Sequence, residues 1–181
     1  MLTPEERSEL LAVARAAVMA AAIGGQMPAP PSGGAFDSDS GAFVTLKRRS
    51  GGGLRGCIGS FTAAGTLGRT VVRMAEAAAV SDPRFSPVRP EEVSGLRVEI
   101  SVLSPMVRTP PGDVVPGVHG VYVRSGRSGG TLLPQVATEE GWDREQLLSH
   151  TCLKAGLPPD TWRKGSADIY TYTAEVFSEK E

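Results

Sequence analysis

The sequence predicts an α+β fold, a mostly antiparallel sheet flanked by helices. Three observations lead there. Strand-like segments come in pairs joined by short glycine-rich turns, and helix-like segments fall between the pairs. Residues 97–105, "RVEISVLSP", alternate cleanly, with Val98, Ile100 and Val102 on one side and Arg97, Glu99 and Ser101 on the other. The chain has 181 residues, which suits one domain, or one domain with a subdomain. That length buries a core without disulfide or metal staples. No internal repeat of fixed period is present.

The elements follow in order. "TPEERSELLAVARAAVMAAAI" reads as a helix: Thr3 is its N-cap, Pro4 fills the first helical position, and Glu6 completes a capping box. Leu10, Val13, Ala14, Ala17 and Val18 share the face that docks on a core, and Gly24-Gly25 ends the helix. Residues 26–40 are rich in Pro, Gly and Ser and read as a surface loop. "GAFVTLKRR" and "LRGCIGSF" are strands around the turn "SGGG", forming a hairpin. "TLGRTVVRMAEAAAVSD" is the second helix, and residues 83–96 are a loop with a short turn. After the alternating strand, residues 105–117 carry four prolines and two glycines and connect elements. "VHGVYVRSGRSGGTLLP" is a second hairpin. "PQVATEEGWDREQLLSHTCLKAGL" is helical in two pieces, broken near Gly141-Trp142-Asp143, and "ADIYTYTAEVFSE" reads as one final strand.

Composition narrows the function classes. A net charge of −1 argues against general DNA or RNA binding, although a local basic patch stays open. Cys57 and Cys152, 95 positions apart, make no CxxC pair and no zinc-ligand spacing, and only two histidines, His119 and His150, argue against a His-rich metal site. The apolar run "ELLAVARAAVMAAAIGG" is preceded by Glu5, Glu6 and Glu9 and interrupted by Arg15. It reads as neither a signal peptide nor a membrane span, so the expected setting is the cytoplasm, with reduced thiols.

The informative stretch is "SGGGLRGCIGSF". Cys57 is either a small packed residue or a thiolate nucleophile, which needs nearby positive charge or hydrogen-bond donors. Regular strand geometry puts Arg55 on its face, because i and i+2 point the same way. Gly56 and Gly59 bracket the cysteine and mark a bulge or a close backbone approach. Cys152 falls on the apolar face of a helix, with His150 nearly opposite, so "HTC" is no Cys–His pair. His119, at a strand start, is either a base for Cys57 or a strand-end histidine bonded to backbone. Neither glycine-rich stretch fits a phosphate loop. Lys47, Arg48, Arg49 and Arg55 gather around one turn, either as a phosphate or carboxylate site or as a solvated tip. Asp82 and Arg84, beside two prolines, either form a structural pair or orient a substrate.

Taken together, "LRGCIGSF", "DPRFSPV", "VEISVLSP", "GVHGVYV" and "LLPQVATEEGWD", in that order, resemble the AMMECR family, over roughly residues 5–178. Its bacterial and archaeal members are often called AmmeMemoRadiSam system protein A, and "LRGCIG" is the family signature. "KAGLPPDTW" and "YTYTAEVFSE" look like its bacterial branch. The resemblance implies an α+β fold with an antiparallel sheet flanked by helices, and it admits a smaller C-terminal subdomain. It also implies association with Memo-like and radical SAM proteins, and no settled reaction or cofactor. Carried over by position, the signature falls on Leu54 to Gly59, and the other motifs bring in Asp82, Arg84, Phe85, His119, Gln135 and Trp142.

Two function classes follow. In the first, the protein is an enzyme or enzyme component acting on a small molecule or nucleotide, with Cys57, Arg55 and His119 catalytic. Gly56, Gly59, Asp82, Arg84 and Gln135 would then contact substrate. In the second, it is a non-catalytic regulatory module that binds a nucleotide, RNA or a protein.

Overall fold

The computed structural model describes residues 1–63 and 65–180. In chain order the elements are α1 (Pro4–Ile23), β1 (Ala42–Arg48), β2 (Leu54–Ser60), α2 (Leu67–Val80), β3 (Leu96–Leu103), β4 (Val107–Arg108), β5 (Gly120–Ser125), β6 (Ser128–Leu132), α3 (Pro134–Glu140), α4 (Arg144–Lys154), β7 (Asp168–Tyr172) and β8 (Ala174–Ser178). Helices and antiparallel sheets together make the expected α+β fold. The chain divides into two compact units: residues 1–103 with the segment from Glu175 onward, and residues 104–174.

The first unit is a four-stranded sheet in the order β2-β1-β3-β8. β1 pairs antiparallel with both β2 and β3. The period-2 pattern of these strands sends Ala42, Val44 and Leu46 of β1, and Val98, Ile100 and Val102 of β3, to one buried face. There they form one core with Leu10, Ala14, Ala17 and Val18 of α1 and Leu67, Val71, Ala75 and Ala78 of α2. Each fully buried Leu, Ile or Val contributes roughly 2 kcal/mol. The α1 capping box forms as the sequence requires: the Glu6 N–H donates to the Thr3 hydroxyl at 3.2 Å, and the Thr3 N–H donates to the Glu6 carboxylate at 2.8 Å. Gly24, at φ 64°, closes the helix in the left-handed region.

The β1–β2 hairpin carries one irregularity. Leu46 stands opposite Gly56, but Lys47 stands opposite Leu54. Arg55 is therefore the extra residue of a β-bulge, which bends the strand and re-aims a side chain.

The second unit is a four-stranded sheet in the order β4-β7-β5-β6. Val121, Val123 and Ile169 from its strands join Ala137 of α3 and Leu147, Leu148 and Cys152 of α4 in a second core. The helical segment is indeed in two pieces. Gly141, at φ 66°, ends α3, and Asp143 caps α4 through the Gln146 N–H at 2.8 Å.

Two sequence expectations change. The final strand is two strands in two sheets. Its alternation fails where Thr171 and Tyr172 are both buried, and Thr173 intervenes, its N–H and carbonyl both bonded to Ser104. The connector at 105–117 contributes β4, too short to show a period. The loop at 26–40 is anchored: Gly34–Asp37 form a 3-10 turn with Phe36 buried, and the Leu67 N–H donates to the Ser38 carbonyl at 2.9 Å. A Cβ at Gly68 would stand only 2.2 Å from the Pro31 carbonyl oxygen, so α2 needs glycine there for the loop to cross it.

We therefore expect Gly68→Ala to lift this loop. Limited proteolysis should cleave residues 26–40 several-fold faster than in wild type, whereas Gly53→Ala, whose Cβ meets no neighbour, should cleave like wild type.

Candidate functional site

β2 is an edge strand, so its outward N–H and C=O groups lack a strand partner. The loop after α2 supplies one at Cys57. The Cys57 N–H donates to Asp82 Oδ2 at 2.8 Å, and Arg84 Nη2 donates to the Cys57 carbonyl at 3.2 Å. The Asp82 carboxylate also accepts the Arg84 N–H at 3.1 Å, Nε at 2.9 Å and Nη2 at 2.7 Å. The first of these closes a local Asx-type turn, which seats the loop. Asp82 is only 4% exposed. The Arg84 guanidinium, helped by the Cys57 N–H, holds its carboxyl far below the usual carboxylate range, against the cost of burial.

The thiol lies on the sheet face opposite the first core. Thr45 stands directly across from Cys57, and its hydroxyl donates to Cys57 Sγ at 3.3 Å. Glu99 lies across from Thr45 on β3 and is held by Lys47 Nζ at 3.0 Å to each oxygen. Arg84 is held charged chiefly by Asp82, and the Cys57 side chain adds to that. Half-buried Cys57 therefore has a hydroxyl donor on its sulfur and a fixed guanidinium on its carbonyl.

Arg55 does not take the place expected of it. The bulge breaks the i, i+2 rule, and the buried guanidinium bonds Glu92 at 3.1 and 3.0 Å and the Ser86 and Pro87 carbonyls at 3.0 and 3.4 Å. Arg55 pushes the Glu92 carboxyl down to about 2. Phe85 links the two arginines, its ring centre 6.0 Å from Arg55 and 5.5 Å from Arg84.

The flanking glycines are filled positions. A Cβ at Gly56 would lie 2.2 Å from the Ala78 carbonyl oxygen, and one at Gly59 would lie 2.1 Å from the Phe43 ring. They let β2 pass close to α2 and to Phe43. His119 and Gln135 belong to the second unit, as does His150, so the first unit contains no histidine. His119 Nδ1 accepts the Val115 N–H at 3.1 Å, which puts the proton of the neutral ring on Nε2. Gln135 Oε1 is buried with no hydrogen-bond partner. His150 stacks on Trp142 at 4.0 Å. Cys152 is fully buried, and burial pushes its thiol up. Among the described residues no group of three or more His, Cys, Asp or Glu is placed to hold a metal ion, and no helix is long and apolar enough to cross a membrane.

Sequence reasoning missed Thr45, Lys47 with Glu99, and Glu92 as members of this network. Only the hairpin register reveals Thr45, and the bulge shifts that register near the turn.

The AMMECR1 family model matches residues 11–177. The chain belongs to the AMMECR1 family. It is 41% identical to a protein of Methanosarcina acetivorans, over 100% of this chain and 95% of that one. Protein MK0488 of Methanopyrus kandleri is 42% identical over 99% of this chain and 91% of its own. The crystal structure of the uncharacterized protein PH0010 from Pyrococcus horikoshii superimposes with a TM-score of 0.85 at 40% identity, covering 94% of this chain and 90% of that one. In this AMMECR1 chain the stretch "LRGCIG" thus does three structural tasks at once: a bulge at Arg55, a close helix contact at Gly56, and an edge residue at Cys57.

Two outcomes test this network. Gly56→Ala should cost about 2–3 kcal/mol in urea unfolding, because backbone must move to admit the methyl. Glu92→Gln should cost about 3 kcal/mol at pH 7 by leaving Arg55 buried without its counter-charge. The Glu92 carboxyl is lowered on folding, so its stabilisation is present above the ordinary carboxyl pKa and is lost as pH falls toward about 2. The stability gap between wild type and Glu92→Gln should therefore narrow between about pH 5 and pH 2.

Proposed function

We propose that Cys57 is a working thiol in an enzyme or enzyme component that acts on a small molecule or nucleotide. The observation that carries this reading is the pairing of an accessible sulfur with a guanidinium fixed beside it. Arg84, locked by the buried Asp82, would balance negative charge on sulfur or on a bound substrate, and the Thr45 hydroxyl would hold the sulfur in place. Arg55 is a positioning residue in this reading. It shapes the loop that carries Asp82 and Arg84, through the Ser86 and Pro87 carbonyls and the Phe85 ring.

The family resemblance adds the setting. The reaction would run in the cytoplasm, with Cys57 reduced, alongside Memo-like and radical SAM proteins. In the second unit, taken by itself, His119 and Gln135 are the candidate site residues. Gln135 Oε1, buried and unpaired, offers an acceptor for a substrate donor.

Alkylation of the native protein with iodoacetamide, read at each cysteine by peptide mass spectrometry, tests the reading. Cys57 should react, and Cys152 should react only on unfolding. Arg84→Gln should slow Cys57 at pH 7 by several-fold without lowering its exposure. An inert Cys57 in the folded protein, or one indifferent to Arg84→Gln, removes the working-thiol reading and leaves the non-catalytic binding module.

A further inference from the structure

The second unit has a cavity of about 390 Å³ beside its core. Its walls are mostly apolar and rich in rings: Pro110 and Pro111 after β4, Trp162 and Ala167 before β7, and the buried Ile169 of β7. Both walls are held in place. The Thr109 N–H donates to the Ile169 carbonyl at 3.0 Å, and the Asp113 N–H donates to the Pro110 carbonyl at 3.0 Å to close a 3-10 turn. Trp162 Nε1 donates to Ser149 Oγ at 3.1 Å, and Arg163 lies 4.9 Å from the indole ring centre. The cavity is therefore preformed.

One cation is in excess beside it. Arg108 lines the cavity with a side chain 75% exposed, and its Nη2 donates to Asp168 Oδ1 at 2.7 Å. The same carboxylate accepts Arg124 Nη2 at 3.3 Å, so one acid answers two guanidiniums. Nε and Nη1 of Arg108 bond no group among the described residues. Arg163 and Lys164, by contrast, have acids of their own in Glu145 and Asp160.

We infer that this cavity binds a small aromatic carboxylic acid. Its volume falls at the lower end of the range for ligand pockets, about 300–1,000 Å³, and suits a body of roughly one or two rings. Walls of proline and indole suit a flat apolar body. The unbalanced guanidinium suits the single charge of a carboxylate, bonded through the donors that Asp168 leaves free. A phosphate ester brings more charge than this one arginine balances. The inference is independent of the Cys57 reading, because every lining residue lies within residues 104–174.

The full chain, isotopically labelled for NMR, is titrated with naphthoate and, separately, with naphthamide, its neutral analogue. The indole N–H signals of Trp142 and Trp162 are followed, told apart with Trp142→Phe. With naphthoate the Trp162 signal should shift and saturate while the Trp142 signal stays. Naphthamide should bind about tenfold more weakly. Arg108→Gln should weaken naphthoate about tenfold and leave naphthamide unchanged. Arg127→Gln, the same charge change at the exposed β5–β6 turn, should leave naphthoate unchanged. The comparison of the two ligands uses the wild-type protein, so it does not depend on how a variant folds. A stationary Trp162 signal, a Trp142 signal that moves equally, equal binding of naphthoate and naphthamide, or equal loss in Arg108→Gln and Arg127→Gln overturns the inference.

Discussion

The Asp82 carboxylate is the constraint on which the site depends. It is buried, and it accepts hydrogen bonds from the Cys57 N–H and from three donors of Arg84. A buried charge of this kind persists only when its donors surround it. The donors in turn fix two things that sequence separates by a whole helix: the edge of β2 and the loop after α2. The edge strand meets a carboxylate and a guanidinium where it would otherwise present bare backbone groups to another chain. The same pair sets Arg84 beside the sulfur. Protection of a sheet edge and placement of Arg84 at Cys57 are thus one arrangement.

A second arginine works from the inside of that loop. The bulge at Arg55 takes its guanidinium off the thiol face and sends it to Glu92 and two loop carbonyls. Phe85 lies within reach of both guanidiniums, so the two arginines act on one short segment from either side. Gly56 is what allows the bulged strand to lie against the end of α2, where even a methyl would collide with the Ala78 carbonyl. Arg55, Gly56, Cys57 and Gly59 each answer a different steric or electrostatic demand along one short strand.

How much of this the sequence carried depends on the kind of signal. The α1 cap, both hairpins, the α3–α4 break and the alternation of β3 rest on local chemistry that repeats along the chain, and they were legible. The division of the last strand was not, because β-rich composition continues across Thr173 and only the sheet partners change. The site was half legible. Glycines beside a cysteine signalled close approach, and Asp82 with Arg84 signalled a pair. Which arginine faces the sulfur turned on one inserted residue in a strand, and no periodic argument detects that. Thr45 and Glu92 reach the network only through register and tertiary packing.

The geometry also bears on what chemistry the thiol could run. Glu99, in line with Cys57 across the sheet, is clamped by the Lys47 ammonium, and Asp82 is saturated by its donors. Asp82, held far below the usual carboxylate range, is a poor acceptor for the thiol proton. A nucleophile activated by a paired base is therefore not what these two groups build. That constraint follows from the ion pairs on the sheet rather than from the cysteine itself.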